Sequence, residues 1–278
     1  MTVMVVLYNL STSLLADLLY QTPLGELFFY SVVNLIPLTL CLLGYYFLYK
    51  FYEKRKVVEL SLKYSGKYLG LGMLLGLCLQ GMTMLVIFWA GGLQVISMNG
   101  FQVILPAVLI ALSTAVFEEI LFRGILLRIM EEQLGSVIAL LISSLVFGFL
   151  HLTNPGSSFY SSLAITLEAG VLLGAAFLFS RNLWFPIAIH FAWNFSQSGI
   201  FGALTSGGSS SKTYLVTELS GPDWLTGGAF GPEASVQALV LCLLVGSILL
   251  YLCNEQGKFL PPFWRVKANR REPVNMEF

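Results

Sequence analysis

Long apolar runs separated by short polar links dominate the chain. A helix that crosses the hydrocarbon core of a bilayer needs about 20 apolar residues. On that rule, spans are predicted at residues 27–49, 68–91, 101–129, 136–152, 161–180, 183–203 and 234–253. The apolar stretch Met1–Tyr20 contains Asp17, so it is predicted either as one more span or as a helix lying in the membrane interface. We therefore expect an all-α fold, a polytopic membrane helical bundle with 7–8 transmembrane helices and an intramembrane polar cavity.

The composition agrees with a membrane protein. Hydrophobic residues make up 56% of the 278 residues and charged residues only 11%, whereas a soluble domain carries about 25% charged residues. Most of the surface is therefore expected to face lipid. The net charge is zero and no long basic stretch is present, so nucleic acid is not an expected partner. We expect a single membrane domain over residues 1–278, with additional N-terminal helices at 1–99, a catalytic core at 100–235 and a tail at 254–278.

Basic residues cluster in two places that alternating spans bring to the same side of the membrane. One cluster lies in the loop after the first long span, and the other in the C-terminal tail: Lys50, Lys54, Arg55, Lys56, Lys63 and Lys67, then Lys258, Arg265, Lys267, Arg270 and Arg271. Because cytoplasmic loops carry the excess of Lys and Arg, the C-terminus is predicted to be cytoplasmic. The loop 204–233, which carries Glu218, Asp223 and Glu233, is then external. We expect a multi-pass protein of a prokaryotic inner membrane.

Three ionisable residues interrupt the apolar run that extends from about Phe101 to Met130, namely Glu118, Glu119 and Arg123. Such residues are costly inside a membrane, and by default they mark a functional site. Glu119 and Arg123 are four residues apart, so they lie on one helix face and are predicted to pair. Glu118 is rotated by about 100° from Glu119. It is therefore predicted to be available for chemistry, while Glu119 has a structural role.

The only two histidines of the chain, His151 and His190, both lie in predicted spans. Asn194 follows His190 by four residues, which puts the two side chains on the same helix face. A single buried histidine is as often a satisfied core residue as a ligand. Two of them in a chain that also buries Glu118 and Glu119 favour a shared polar site. At about 1.5 Å of rise per residue, these residues come to similar depths in their helices.

This set of side chains fits two kinds of hydrolytic chemistry. A desolvated glutamate is a suitable general base for water, a neighbouring imidazole can orient that water, and His and Asn can donate to an oxyanion. Alternatively, Glu118, His151 and His190 could hold Zn²⁺ with water in the fourth position. The chain contains no HExxH motif, so the usual zincin arrangement is absent. The residues alone do not decide between the two.

Three motifs resemble those of the CAAX-protease and bacteriocin-processing family (CPBP or Abi) of intramembrane endopeptidases. The EExxxR motif is Glu118-Glu119-Ile120-Leu121-Phe122-Arg123, the FxxxH motif is Phe147 to His151, and the HxxxN motif is His190 to Asn194. Residues 170–174 and the loop 224–233 also resemble family members, so the resemblance covers roughly 100–235. Three motifs in order at suitable spacing are a specific signal, although each of them alone is weak.

The resemblance implies a role for each motif residue. Glu118 and His151 would activate the water, and His190 and Asn194 would stabilise the oxyanion. Supporting residues would be Glu119 and Arg123, and Phe147 as the first position of its motif. The substrate would be a membrane-associated peptide or protein, such as a prenylated CAAX peptide, a bacteriocin leader or a membrane-anchored regulator. Both a zinc-dependent and a metal-free, glutamate-driven mechanism agree with the family, so Zn²⁺ is a candidate cofactor and not a required one.

Other functions remain open at this stage. A proton-coupled transporter also buries Glu and His, although the chain shows no inverted repeat. A non-catalytic member of the family could act as a membrane scaffold or immunity protein, because a fold does not fix a function. Glu168 lies inside a span, where it either lines the same cavity or is bonded to a neighbouring helix. Glu131 and Glu132 are expected to form a solvated helix end.

Overall fold

The computed structural model describes residues 2–20, 25–209 and 212–265. The basic residues Lys267, Arg270 and Arg271, which the sequence assigns to a cytoplasmic tail, lie outside the described residues.

Eight helices make up most of the part of the chain that the structure describes. They are α1 (Thr2–Leu19), α2 (Glu26–Tyr52), α3 (Ser65–Trp89), α4 (105–134), α5 (136–150), α6 (Phe159–Ser180), α7 (184–200) and α8 (Val236–Glu255). Five helical stretches in the described ranges are long and apolar enough to cross a membrane, and one of them, Phe101–Thr153, contains both α4 and α5. The predicted all-α membrane bundle is confirmed, and the protein is an integral membrane protein.

A single glycine joins α4 to α5 and reverses the chain. Gly135 has φ 76° and ψ 164°, a backbone conformation that glycine adopts without strain. The two helices pack antiparallel on either side of it, because Phe122 and Phe147 meet edge to face at 4.9 Å. In the same interface, the Ser143 hydroxyl donates to the Phe122 carbonyl at 3.2 Å. This hairpin brings the EExxxR segment of α4 beside the FxxxH segment of α5.

Small residues allow α3 to approach α7 closely. A Cβ atom on Gly72 would lie 2.6 Å from Ala188 Cβ, and one on Gly76 would lie 2.4 Å from the Ile189 carbonyl oxygen. Neither distance leaves room for a side chain. Glycines four residues apart are a common means of close helix packing in membranes. This contact fixes the position of α7, the helix that carries His190.

Two short strands, β1 (Leu93–Met98) and β2 (Leu215–Leu219), pair antiparallel. The sequence analysis predicted neither strand, because each is only five or six residues long and lies outside the apolar spans. The pairing ties the link between α3 and α4 to the loop between α7 and α8. Asn99 continues the connection, since its side-chain amide donates to the Thr213 carbonyl at 2.9 Å.

Ion pairs hold the opposite end of the bundle together, and one of them corrects a prediction. Glu131 was expected to be solvated, but it is buried and accepts from Arg181 Nη1 at 2.5 Å. The expectation was wrong because Arg181, at the end of α6, folds over the α4 terminus. Glu132 is half exposed and pairs with Arg128 at 2.6 Å, closer to what was expected.

The loop after α2 contains a second buried carboxylate, Glu59. Arg55 Nη2 lies 2.7 Å from Glu59 Oε1, and the Tyr45 hydroxyl also donates to that oxygen. Burial opposes ionisation of the Glu59 carboxyl, but these hydrogen bonds and the Arg55 charge outweigh it, so its pKa is lowered from the ordinary value of 4.5. The backbone carbonyl of Glu59 accepts from the Leu183 amide at 2.8 Å, which connects this loop to the start of α7.

Candidate active site

The buried ion pair predicted from the EExxxR spacing is present. Arg123 Nη1 lies 2.9 Å from Glu119 Oε1, and both side chains are almost fully buried. Arg123 Nη2 also donates to two backbone carbonyls of α6, Ala169 at 3.0 Å and Gly170 at 3.2 Å. The guanidinium therefore links α4 to α6, and its charge is compensated inside the bundle.

His190 lies between the two adjacent carboxylates. Its Nδ1 is 2.9 Å from Glu119 Oε1, and its Nε2 is 3.8 Å from Glu118 Oε2. Because an ionised carboxylate only accepts hydrogen bonds, His190 Nδ1 is protonated and donates a hydrogen bond to Glu119. Glu119 is thus shared by Arg123 and His190, and it fixes the orientation of the imidazole ring.

Glu118 points into a cavity instead of into the packed core. Its side chain keeps 22% of its surface exposed, whereas that of Glu119 is fully buried. The cavity encloses about 1220 Å³ of space, part of it open to solvent, and its lining includes Glu118, His151, His190 and Asn194. The structure therefore brings together the four residues that the sequence analysis singled out for catalysis. Their catalytic roles stay predictions.

The end of α5 determines which nitrogen of His151 faces the cavity. The helix tightens there, so that the His151 backbone amide bonds to the Gly148 carbonyl. The Phe147 carbonyl instead lies 2.8 Å from His151 Nδ1. Since a carbonyl can only accept, Nδ1 is the protonated nitrogen, and Nε2 is left as an acceptor in the neutral ring. A half-buried acceptor nitrogen at a cavity wall is suited to orient or deprotonate water.

The ring of Phe147 packs at the centre of the site. Its centroid lies 4.9 Å from that of His151, 6.4 Å from that of His190 and 4.5 Å from the Arg123 guanidinium carbon. The side chain is buried and forms a cation–π contact with Arg123. Phe147 therefore separates the buried ion pair from the cavity and holds both histidine rings by packing.

Three π-helical segments lie next to the site residues. The first follows Glu119, the second contains Glu168, and the third follows Asn194. Their ranges are Ile120–Leu127, Thr166–Gly170 and Phe195–Ile200. A π turn inserts an extra residue into a helix and is frequent at functional sites. In α6 it contains the two carbonyls that accept from Arg123.

Two acidic residues reach the site region in addition to the predicted ones. Glu168 is buried and lines a narrower pocket together with His151, His190 and Asn194. Of the two alternatives predicted for Glu168, the structure thus agrees with the one in which it lines the cavity. Glu233 lines the same pocket, although the sequence analysis treated it only as an acidic residue of an external loop. The signal that could have found it is its place directly before α8, after a Gly-rich turn that folds the loop back.

Hydrogen bonds hold the Glu233 carboxylate in that position. Gln197 Nε2 donates to it at 3.0 Å, and the backbone amide of Ser206 donates to its other oxygen. Burial raises the pKa of the Glu233 carboxyl, while the hydrogen bonds from Ser206 and Gln197 partly oppose that rise.

The possible metal ligands do not form a suitable set. Within the described ranges, no group of three or more His, Cys, Asp or Glu side chains is arranged to hold a metal ion. Glu118, His151 and His190 line one cavity, and each histidine turns Nδ1 to a protein acceptor and keeps Nε2 for the cavity. The three side chains are nevertheless not grouped so that they could share one ion. The zinc site considered from the sequence does not fit this geometry.

Comparison with known proteins identifies the segment that contains the three motifs. Residues 100–196 match the family model described as Type II CAAX prenyl endopeptidase Rce1-like, which covers 97 of the 278 residues. The family resemblance predicted from the motifs is confirmed over this segment, and it points to a membrane protease. No curated protein and no solved structure gives a significant match to the chain.

Proposed function

We propose that the protein is an intramembrane endopeptidase that hydrolyses a peptide bond of a membrane-associated substrate. The observation that carries the proposal is the position of Glu118, His151, His190 and Asn194 around one cavity within apolar helices. The family match over the same segment supports a protease in preference to a transporter.

In the proposed reaction, Glu118 is the general base. Its carboxylate takes a proton from a water molecule, and the oxygen of that water attacks the carbonyl carbon of the scissile bond. His151 Nε2, the acceptor nitrogen, orients this water by accepting a hydrogen bond from it. Glu118 then returns its proton to the amine nitrogen as the C–N bond breaks, so the carboxylate is regenerated with each turnover.

His190 and Asn194 supply the proposed oxyanion site. The Asn194 side-chain amide can donate one hydrogen bond to the developing negative charge. A second donation, from His190 Nε2, requires a doubly protonated ring, because Nδ1 already donates to Glu119. The two carboxylates that flank His190, at 2.9 and 3.8 Å, provide the negative surroundings that an imidazolium needs. Glu119 and Arg123 support the site by fixing this ring.

Prenylated CAAX peptides are the first substrate class to examine, because the matching family model is described by that activity. Leader peptides of bacteriocins and membrane-anchored regulators are the further classes that the motif resemblance implies. We also propose that the basic loop at residues 50–67 and the C-terminus face the cytoplasm of a prokaryotic cell.

The test is cleavage by purified full-length protein in detergent. Wild type, Glu118→Gln and His151→Ala are incubated with prenylated CAAX peptides and with leader peptides, and the products are identified by mass spectrometry. We expect wild type to cleave at one peptide bond and both variants to lose cleavage while remaining folded. Glu132→Gln, a half-exposed carboxylate at the far end of α4, is the matched control. Cleavage that survives both site substitutions would overturn the proposal, and metal analysis of the same preparation tests for zinc.

A further inference from the structure

A narrow side pocket adjoins the proposed catalytic cavity. The two spaces share four lining residues, His151, His190, Asn194 and Ser206. Beyond them, the side pocket has apolar walls, including Ile165, Leu172 and Trp193, and three ionisable residues, Glu168, Glu233 and Cys242. We call this space the acidic side pocket. Apolar walls with a small number of polar groups are typical of ligand-binding pockets.

Glu168 is the unusual member of this pocket. Its side chain is 2% exposed, and its Oε2 has no hydrogen-bond partner among the described residues. A buried carboxylate oxygen without a donor is costly, since burial removes its water and nothing replaces it. Glu233 is close enough to interact electrostatically with Glu168, and it bears the same charge when ionised. Among the residues that the structure describes, Glu168 therefore has no positively charged partner.

The charges around the two spaces also favour a cation. Three carboxylates line them, Glu118, Glu168 and Glu233, and the lysine that lines the larger space, Lys212, is paired with Glu26 at 2.7 Å. A low-dielectric cleft with an excess of one sign of charge concentrates ligands of the opposite sign. A metal ion is not indicated, because no suitable group of ligands exists in the part of the chain that the structure describes. The missing partner is better supplied by an organic cation.

We infer that the acidic side pocket receives a basic side chain, Lys or Arg, of the substrate residue next to the scissile bond, with Glu168 as its counter-charge. This inference rests on the proposed function, because it assigns a specificity site to the same cavity. Since a CAAX motif places cysteine and an aliphatic residue at the scissile bond, the inference favours leader peptides and membrane-anchored regulators as substrates. The aliphatic stem of such a side chain packs against the apolar walls, and its charged end reaches the carboxylates. Glu233, held by Gln197 and Ser206, provides a second acceptor at a fixed position. Both residues are specificity determinants and take no part in bond cleavage.

Matched pairs of peptides test the inference. Two pairs of peptides are used, one for each of the two residues that flank the scissile bond. Within a pair, that residue is either lysine or norleucine, so the two peptides differ only in the terminal ammonium group. At one of the two positions, we expect wild type to cleave the lysine peptide with a kcat/KM at least about tenfold higher than that of the norleucine peptide. In Glu168→Gln, that ratio should fall at least about tenfold. Glu218→Gln, an exposed carboxylate of β2 outside both spaces, is the control and should keep the wild-type ratio.

A binding measurement keeps the inference separate from the proposed function. The lysine side-chain analogue n-butylammonium and its uncharged counterpart 1-butanol are added to wild type and to Glu118→Gln, and thermal unfolding in detergent is followed. We expect n-butylammonium to raise the unfolding temperature of both proteins more than 1-butanol does, and to lose that advantage in Glu168→Gln. If no peptide is cleaved but n-butylammonium still stabilises selectively, the protease function fails and the cation pocket stands.

Two results would overturn the inference while leaving the protease intact. One is cleavage of lysine and norleucine peptides with equal kcat/KM at both positions. The other is equal stabilisation by n-butylammonium and 1-butanol, which would mean that Glu168 is neutralised by a proton and needs no ligand. Because both measurements can be made on wild type, the test does not depend on the folding of Glu168→Gln.

Discussion

His190 donates from Nδ1 to Glu119 Oε1 over 2.9 Å, while its other ring nitrogen faces Glu118 at 3.8 Å. The same imidazole thus touches two carboxylates that are adjacent in sequence but differ in environment. Glu119 is fully buried and shared with Arg123, whereas Glu118 reaches the cavity. This difference supports the proposed division of roles, in which Glu119 is a supporting residue and Glu118 is the base.

Glutamine substitutions should therefore have different effects at the two positions. Glu118→Gln removes the proposed base but strands no buried charge, so we expect cleavage to be lost with little change in thermal stability. Glu119→Gln keeps an acceptor oxygen but removes the negative charge that compensates the buried Arg123, and we expect a loss of about 3–5 kcal/mol in the free energy of unfolding. Peptide cleavage and thermal unfolding in detergent measure the two quantities. Equal loss of folded yield in both variants would contradict this division of roles.

His151→Asn tests the assignment of the two ring nitrogens. An asparagine amide can donate to the Phe147 carbonyl as Nδ1 now does at 2.8 Å, but it has no basic nitrogen to replace Nε2. We expect a fall in kcat of about 10²-fold, because the attacking water is then misplaced, with the unfolding temperature close to wild type. A variant that keeps full activity would show that His151 contributes only through its bond to the α5 terminus. His151→Ala, which removes both contacts, provides the comparison.

The helices and the Glu119–Arg123 ion pair could be predicted from the sequence because each rests on a strong local rule. Spans follow from the length of apolar runs, and the Glu119–Arg123 pair follows from a spacing of four on one helix. The convergence of Glu118, His151 and His190 was expected from depth and chemistry alone. It depends on the chain reversal at Gly135. A glycine in a polar link allows such a reversal, but the sequence does not show that the chain reverses there.

The remaining features depend on contacts between distant segments, which no local pattern encodes. Glu233 is buried because the loop before α8 folds onto Ser206 and Gln197. Glu131 is buried because Arg181 reaches it from another helix. The pairing of β1 with β2 joins segments more than a hundred residues apart. In each case the residue type was visible, but its partner could not be read from neighbouring positions.

Close packing of α3 against α7 should be necessary for the position of His190. In Gly76→Ala the new Cβ would lie 2.4 Å from the Ile189 carbonyl oxygen, so the helices must separate, at a cost of about 1–3 kcal/mol. Because Ile189 precedes His190, we expect kcat to fall together with stability. Gly81→Ala is the matched control in the same helix, since a Cβ there meets nothing within 4 Å. It should keep activity and gain up to about 1 kcal/mol in helix stability. Equal effects of the two substitutions would exclude the packing argument.

The buried Glu59 carboxylate should make stability depend on pH in the acid range. Its pKa in the folded protein is lowered from 4.5 by its bonds to Arg55 and Tyr45, which outweigh its burial. The ionised form therefore stabilises the fold fully above the unfolded-state value, and this contribution is lost as the pH falls through the lower folded-state pKa. Thermal unfolding in detergent from neutral to acid pH measures the effect.

Glu59→Gln should be less stable than wild type at neutral pH, and the difference should shrink below about pH 4.5. Glu132→Gln, at a half-exposed pair, should show a smaller difference at neutral pH. A constant gap between wild type and Glu59→Gln across this range would mean that the Glu59 charge does not stabilise the loop.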